Sequence, residues 1–198
     1  MTIETVLNFW FGADPDDAAV AKEKSALWWS KGPEIDDEIR QRFESLVVKA
    51  AAGELADWQS TPSGRLALIL LTDQFPRNIY HDSPRAFAQD SKTLAYCLDG
   101  IKRDFDFKLR RIERVFFYLP LEHAESLEHQ EQSVRQFSAL LDEVGADQKN
   151  LFAEYLDFAV RHRNIIARFG RFPHRNKILG RKSTAEELAF LAEPDSSF

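Results

Sequence analysis

The sequence predicts an all-α protein of about eight to ten helices, folded as a single domain over residues 1–198. Apolar side chains recur at steps of three and four residues along most of the chain, which is the helical period. No segment alternates polar and apolar residues in the period of two that is expected of a half-buried strand. No linker or low-complexity tract divides the chain, and 198 residues suit one domain with a sizeable core.

Polar caps, prolines and glycines divide this pattern into nine predicted helices and one extra turn at 55–58. The predicted helices cover residues 3–11, 14–29, 34–52, 61–76, 83–100, 108–118, 120–145, 148–169 and 183–191. In the first part of the chain, Asp14 is expected to cap the second helix, with Pro15 in its first turn. Gly32-Pro33 ends that helix and Gly53 ends the third.

The fourth helix begins at Thr61-Pro62 and is apolar nearly all round over RLALILLTDQF, so we expect it in the centre of the domain. Pro76 is expected to end or kink it, because Phe75 is pushed away from helical geometry. Asp73 continues the apolar face and therefore points inward, where an unpaired carboxylate is costly.

In the second half, Ser83-Pro84 caps the fifth helix and Pro120 opens a long helix that ends near Gly145. The eighth helix carries a stripe of inward side chains: Leu151, Tyr155, Phe158, His162, Ile165 and Phe169. The sequence S-T-A-E at 183–186 is a capping box for the last helix. The tail after about residue 192 is polar and expected to be frayed.

The composition excludes several classes of protein. A content of 44% hydrophobic residues excludes global disorder, and the sequence pI near 5.4 argues against a general nucleic-acid binder. A single cysteine, Cys97, excludes an internal disulfide and a thiolate-rich metal site, and suits a reducing compartment. The N-terminus lacks the features of a signal peptide, and no apolar run is long enough to span a membrane. A cytoplasmic protein is therefore expected.

Positive charge is concentrated in residues 161–182, which we call the basic segment. It holds eight Lys or Arg and no Asp or Glu, in a chain whose net charge is −6. Gly170, Phe172-Pro173 and Gly180 indicate a helix end followed by a shaped turn. Guanidinium groups in such a turn can bind carboxylate or phosphate bidentately, so the segment requires either internal carboxylates or an external anion.

Three groups of polar side chains interrupt otherwise apolar faces and are the candidate ligand-binding residues. They are Asp73, Gln74, Arg77 and Asn78; His123 and Glu125; and His162, Arg171, Arg175, Asn176 and Arg181. Two interpretations remain open for each group. Asp73 and Arg77 form either an internal ion pair or the wall of a charged pocket. His123 and His162 are either satisfied core histidines or functional groups.

Motifs for known chemistry are mostly missing. The chain has no Walker loop, GxGxxG, GxSxG or HExxH sequence. Glu125 and His129 have metal-ligand spacing, but no second ExxH pair accompanies them, so neither a metal nor a cofactor is predicted. The candidate catalytic residues are His123, His162, Asp73 and Glu125, of which a histidine and Asp73 could form an acid–base pair. No nucleophile is evident.

Three long segments carry a resemblance to a known family: GRLALILLTDQFPRNIY (64–80), FYLPLEHAES (117–126) and HRNIIARFGRFPHRNKILGR (162–181). On these segments, and over nearly the whole chain, the sequence resembles a bacterial family catalogued as domain of unknown function 924. The resemblance implies an all-helical α-α superhelix similar to tetratricopeptide-type folds, and it implies no activity. Its motif singles out Pro173 and the same polar residues as the candidate groups above.

Three functions compete on these observations. The preferred one is a small anionic ligand gripped by Arg77, Arg171 and Arg175 and oriented by Asp73, His123 and His162. The second is a hydrolase-type enzyme in which His123 or His162 acts as a base. The third is a protein or peptide interaction module with an exposed aromatic groove, for which Trp28 and Trp29 are candidates. Nucleic acid is the least favoured partner, and the oligomeric state is not predicted.

Overall fold

The computed structural model describes residues 1–30, 32–194 and 196, and within these ranges it contains helices and no strands. The α-helices are α1 (Ile3–Phe11), α2 (Asp17–Trp29), α3 (Pro33–Ala52), α4 (Pro62–Ile69), α5 (Phe75–Ile79), α6 (Asp90–Lys102), α7 (Arg111–Glu122), α8 (Leu127–Glu143), α9 (Lys149–Phe169) and α10 (Ala185–Leu191). A π-helical segment, Leu70–Gln74, joins α4 to α5 into one helix, so the described chain has nine helices in one domain. The predicted all-α single domain is confirmed. The superhelical arrangement implied by the resemblance stays a prediction.

The helix formed by α4, the π segment and α5 lies at the centre of the domain, as its apolar composition predicts. Every residue from Gly64 to Pro76 is buried. α4 packs against α6 and α7, while α5 packs against α3. Aromatic rings fill the space beside it, with Trp10 lying 5.2 Å from Phe75 and 5.6 Å from Phe116 between ring centroids. Such tilted and edge-on ring pairs add to the free energy gained by burying their area.

Pro76 does not end this helix, and Phe75 keeps helical dihedral angles of −62° and −40°. The prediction that Phe75 is displaced from helical geometry is therefore wrong. The reason is the π segment, in which the Phe75 N–H bonds to the Leu70 carbonyl five residues back. This wider turn ends just before Pro76, which has no N–H to donate. The helix therefore tolerates the proline and continues to Ile79.

Pro120 does not open a helix either. It lies inside α7, which continues to Glu122, and α8 begins only at Leu127. Burial of Leu121 and Glu122 in the core holds the chain helical beyond the proline, and the His123 N–H still bonds to the Leu119 carbonyl at 2.8 Å. The predicted helix boundary is wrong because tertiary packing outweighs the local preference of proline.

Several predicted helix starts move by a few residues. The cap of α2 is Asp16 rather than Asp14, and the capping box of α10 pairs Thr184 with Glu187. Ser83 caps a short 3₁₀ turn, Pro84–Phe87, and α6 starts later, at Asp90. Further 3₁₀ turns cover Ala56–Ser60, Asp106–Lys108 and Pro173–Arg175. Much of the tail predicted to fray, including residues 195, 197 and 198, lies outside the described ranges.

The buried face of α9 differs from the predicted stripe by one position. Phe158 is 45% exposed, whereas Phe152 is 1% exposed and Ala159 is fully buried. His162 lies on the buried face, as predicted, with 4% of its surface exposed. A helix turns by about 100° per residue, so a stripe read in steps of three and four can drift by one residue over its length. Among the described helices, none is long and apolar enough to cross a membrane.

Candidate functional site

The candidate site is formed where α5, the first residue of α6, the end of α7 and the turn after α9 meet. We define the His123 cluster as Asp73, Arg77, Asp90, His123 and Arg175. Its centre is Asp73, which is 1% exposed. Asp73 stands on the π segment, a geometry that recurs at functional sites. The predicted inward direction of Asp73 is confirmed.

Arg77 follows Asp73 by one turn, and the predicted pair between them is present. Arg77 Nε and Nη2 donate to Asp73 Oδ1 at 3.3 and 2.9 Å, and Nη2 also donates to Asp90 Oδ1 at 3.0 Å. Gln74 Nε2 donates to the other Asp73 oxygen at 2.6 Å. Burial acts to raise the pKa of Asp73, but the charge of Arg77 and the bond from His123 outweigh it and hold that pKa well below its usual range. Asp73 is therefore a carboxylate.

His123 is fixed by this carboxylate. It directly follows α7, and its Nδ1 lies 2.8 Å from Asp73 Oδ1. Burial and the charge of Arg77 lower the pKa of His123, so the ring is neutral at pH 7. Because Asp73 can only accept, we assign the proton to Nδ1 and the lone pair to Nε2. The buried Gln130 amide holds the backbone beside the ring by donating to the carbonyls of Glu122 and Ala124 at 2.5 and 2.8 Å.

Arg175 enters the cluster from the basic segment. Its guanidinium lies between the rings of Phe87 and Phe172, at 4.8 and 4.4 Å from their centroids. Nη1 donates to Asp90 Oδ2 and to the His123 carbonyl, both at 3.2 Å, while the buried Nε has no partner. Burial and the charge of Arg77 lower the pKa of Arg175 to about 10, so it remains protonated at pH 7.

His162 lies beside the cluster without joining it. Its ring centroid is 6.3 Å from that of His123, and Nδ1 lies 2.8 Å from the Phe158 carbonyl and 3.2 Å from Glu122 Oε1. Burial raises the pKa of Glu122 to about 8 and lowers that of His162 to about 3. Both groups are therefore mainly neutral at pH 7, and their contact is not an ion pair.

The other predicted ligand-binding residues of the basic segment bind the protein's own carboxylates. We define the Glu187 clamp as Glu125, Arg171, Asn176, Arg181 and Glu187. Arg171 Nε and Nη2 donate to Glu187 at 2.6 and 2.8 Å, and Arg181 Nη1 and Nη2 donate to Glu125 at 2.6 and 2.9 Å. Asn176 donates to Glu187 at 3.3 Å, and the Phe172 N–H donates to Glu125 at 2.8 Å. The clamp fixes the turn and α10.

For Arg171 and Arg181 the clamp supports the alternative that the basic segment pairs with internal carboxylates. Arg171 and Arg181 were candidates for gripping an external anion, but internal carboxylates already occupy both forks. Glu125 was a catalytic candidate, and it is instead held by Arg181 and a backbone N–H. The physical reason is that cations at a helix end are most stable beside carboxylates, which α10 and the loop after α7 supply. Arg168 faces solvent as predicted and pairs with exposed Glu186 at 2.9 Å.

Asn78 points away from the His123 cluster, and its Nδ2 donates to Asp36 Oδ1 at 3.1 Å. It lines a cleft of about 340 Å³ with Gly32, Pro33, Asp36, Arg77 and His81. Arg77 thus separates this cleft from the buried carboxylates. Within the described ranges, no three His, Cys, Asp or Glu side chains are grouped so that they could hold a metal ion.

The aromatic groove predicted for a peptide ligand is not formed by Trp28. Its side chain is buried, and Nε1 donates to the Trp10 carbonyl at 3.0 Å. Trp29 is 51% exposed and lies flat over Phe116, with 5.7 Å between ring centroids. A separate cleft of about 630 Å³ between α1, α2 and α3 is lined mainly by charged and polar side chains. A protein or peptide partner stays a prediction.

Two residues of the cluster environment were missed from the sequence. Asp90 holds both guanidinium groups, although it lies 13 residues after Arg77 and 85 before Arg175. Phe87 stacks on Arg175 and lies 5.2 Å from the Arg77 guanidinium. The balance of charge could have indicated Asp90, because two inward-facing arginines need a second carboxylate besides Asp73.

The chain matches known proteins of unassigned activity. A family model described as bacterial protein of unknown function (DUF924) matches residues 6–195. A solved structure of a protein of unknown function from Agrobacterium tumefaciens is 35% identical, with a TM-score of 0.75. The match covers 89% of this chain and 99% of that one. No curated protein matches the chain.

Proposed function

The chain belongs to the bacterial family of unknown function DUF924, and from the geometry of the His123 cluster we propose that it binds a small anionic ligand there. The ligand is a phosphate or a carboxylate that also carries a hydroxyl or protonated oxygen. Arg77 and Arg175 grip the anionic oxygens, and His123 accepts a hydrogen bond from the protonated one. Arg171 and Arg181, which the sequence also favoured, have no part in this proposal because they pair with Glu187 and Glu125 in the clamp rather than with the carboxylates that hold His123, Arg77 and Arg175.

The observation that carries the proposal is that three basic side chains joined by Asp73 and Asp90 each keep at least one nitrogen unoccupied. Within the described residues, no hydrogen-bond partner is present for Arg77 Nη1, His123 Nε2 or Arg175 Nη2. None of these three atoms is among the fully buried ones. The side chains of Arg77 and His123 are 20% and 15% exposed. Donors and acceptors held in place but unused are typical of a binding site.

The two carboxylates preorganise this group. Asp90 holds Arg77 on one oxygen and Arg175 on the other, at 3.0 and 3.2 Å, so both guanidinium groups are fixed before a ligand arrives. Asp73 fixes the third side chain, His123. Preorganised groups lose little conformational freedom on binding, which favours affinity. The two aspartates also balance the two arginines in charge, so the unoccupied donors are held without a net excess of positive charge.

A thermal-shift screen of inorganic phosphate, sulfate, acetate and lactate tests the proposal. We expect at least one of these anions to raise the melting temperature of the wild type, since a ligand that binds only the folded state stabilises it. Arg175→Lys keeps the charge but loses the forked donors, so we expect its affinity for that anion to fall at least tenfold, or about 1.4 kcal/mol.

Arg171→Lys is the matched control, because it makes the same exchange in the same segment where the guanidinium already holds Glu187. It is expected to lower the melting temperature of the free protein and to leave the shift caused by the anion unchanged. The proposal is wrong if no anion stabilises the wild type, or if the Arg175→Lys and Arg171→Lys proteins respond alike.

A further inference from the structure

We propose that His123 is a nucleophile that accepts a phosphoryl group on Nε2 from a small phosphate ester held by Arg77 and Arg175. This inference rests on the proposed function, because it uses the same two guanidinium groups as the grip on the phosphate. It adds a reaction and a substrate class to that binding site.

The hydrogen bond to Asp73 prepares His123 for this role. Asp73 Oδ1 lies 2.8 Å from Nδ1, so one ring nitrogen is occupied and the other carries the lone pair. Nε2 has no partner within the described chain, and 15% of the side chain is exposed. As Nε2 attacks phosphorus the ring becomes positive, and a carboxylate on Nδ1 stabilises that charge. Asp73 is thus a positioning residue that acts through His123.

The two guanidinium groups suit a phosphoryl group more than a carboxylate. In phosphoryl transfer, charge on the non-bridging oxygens must be stabilised in the transition state, and fixed arginines do this. Arg77 Nη1 and Arg175 Nη2 are the unoccupied donors, and Asp90 holds both side chains. A carboxylate bound by the two arginines would not be the group that reacts with Nε2. With a phosphate ester, the two arginines would bind oxygens on the same phosphorus that Nε2 attacks.

The transfer has two balanced steps. First, the Nε2 lone pair forms the N–P bond while the P–O ester bond breaks, and the bonding electrons leave with the ester oxygen. A nitrophenolate leaves without a proton, whereas an alkoxide takes one from water. Second, water attacks phosphorus, the N–P bond breaks, and inorganic phosphate and neutral His123 are released with one proton passed to solvent. No oxidant, reductant or other reactant is required.

The test uses the full chain and two probes, phosphoramidate as a small phosphoryl donor and p-nitrophenyl phosphate as an ester. After an alkaline quench, mass spectrometry should find a phosphate on His123 that is lost on acid treatment. His123→Gln should abolish this label and reduce release of nitrophenolate at least a hundredfold. His129→Gln, on α8 outside the cluster, is the matched control and should keep both signals. Circular dichroism checks that each variant is folded.

Asp73→Asn tests the positioning role. An amide on Nδ1 stabilises the developing charge less, so labelling should slow at least tenfold and its pH profile should shift, while His123→Gln remains the test if Asp73→Asn does not fold. If the wild type binds inorganic phosphate but no label forms on His123, this inference is wrong and the proposed function stands. If no label forms and none of the four anions of the screen binds, both fail. A label that forms equally in His123→Gln also overturns the inference.

Discussion

Arginines that are close together in the basic segment pair with carboxylates in two different ways. In the Glu187 clamp, Arg171 and Arg181 each meet a carboxylate with two nitrogens at 2.6 to 2.9 Å. In the His123 cluster, Arg175 meets Asp90 with one nitrogen at 3.2 Å and leaves Nη2 unoccupied. Charge counting cannot separate these cases, because each arginine has an acidic partner. The difference lies in how the carboxylate is shared: Asp90 holds both Arg175 and Arg77, each by a single nitrogen, whereas Glu187 and Glu125 each hold one arginine by two nitrogens.

The protonation of the two regions also differs. The carboxylate of the clamp is held ionised, since the bonds from Arg171 lower the pKa of Glu187 to about 2. Beside the His123 cluster, burial keeps Glu122 and His162 neutral. The clamp therefore depends on an ionised Glu187, whereas Glu122 and His162, which lie beside the His123 cluster, are neutral. Replacing Glu187 or Glu122 by glutamine should therefore change the free energy of unfolding in opposite directions.

The largest effect is expected for Glu187→Gln, which breaks the clamp. Glu187 is 2% exposed and accepts bonds from Arg171, Asn176 and the Thr184 N–H, so an amide leaves buried donors poorly paired. We expect a loss of about 3 kcal/mol in the free energy of unfolding, measured by urea denaturation at pH 7.

The pH dependence of this variant separates charge from packing. The folded pKa of Glu187 is below the ordinary value of 4.5, so its contribution is complete above pH 4.5 and is lost as the pH falls through about 2. The wild type should lose stability over that window more steeply than Glu187→Gln. Parallel curves for the two proteins would mean that the clamp does not depend on an ionised Glu187.

A smaller effect of opposite sign is expected for Glu122→Gln. The folded pKa of Glu122, about 8, lies above the ordinary value of 4.5. The folded state therefore binds one more proton than the unfolded state between these values, and stability falls as the pH rises through them. Glutamine imitates the protonated acid. At pH 9 the variant should be more stable than the wild type by about 2 kcal/mol, and at pH 4 the two should be nearly equal. A variant less stable than the wild type at pH 9 would contradict the raised pKa of Glu122, because it would mean that the folded state favours the ionised carboxylate.

The smallest effect is expected for Arg168→Ala, in the same segment as both regions. Its pair with Glu186 at 2.9 Å is exposed, with side-chain exposures of 47% and 63%. Such surface pairs contribute at most about 0.5 kcal/mol. Urea denaturation at low and high salt measures this directly. A loss above 1 kcal/mol would place Arg168 in the clamp rather than outside it.

Much of the fold was readable from the sequence, because the helical period, the caps and the apolar central helix act locally. The pair of Asp73 and Arg77 was predictable for the same reason, since residues four apart on a helix face each other. The effects of Pro76 and Pro120 were not predictable, because a π turn and core packing override the local preference of proline. Phe158 was misplaced because a small drift in helical phase decides which side chain is exposed.

The candidate site was only partly predictable. Asp73, Arg77, His123 and Arg175 were identified as polar interruptions of apolar faces, and they do meet. Their division from Arg171 and Arg181 was not foreseeable, because it depends on which distant acid reaches each arginine. Asp90 and Glu187 take their partners from other elements, and no local pattern encodes such pairings. The sequence therefore locates the polar groups, and only the fold shows which of them pair with one another.

The central claim is that Arg175 binds the anion, whereas Arg171, whose Nε and Nη2 hold Glu187, does not. Titration calorimetry with the best anion from the screen, on wild type, Arg175→Lys and Arg171→Lys, tests this most directly. We predict that the Kd rises at least tenfold in Arg175→Lys and stays within twofold of wild type in Arg171→Lys. Equal dissociation constants for the two variants, or a greater loss in Arg171→Lys, would contradict the account.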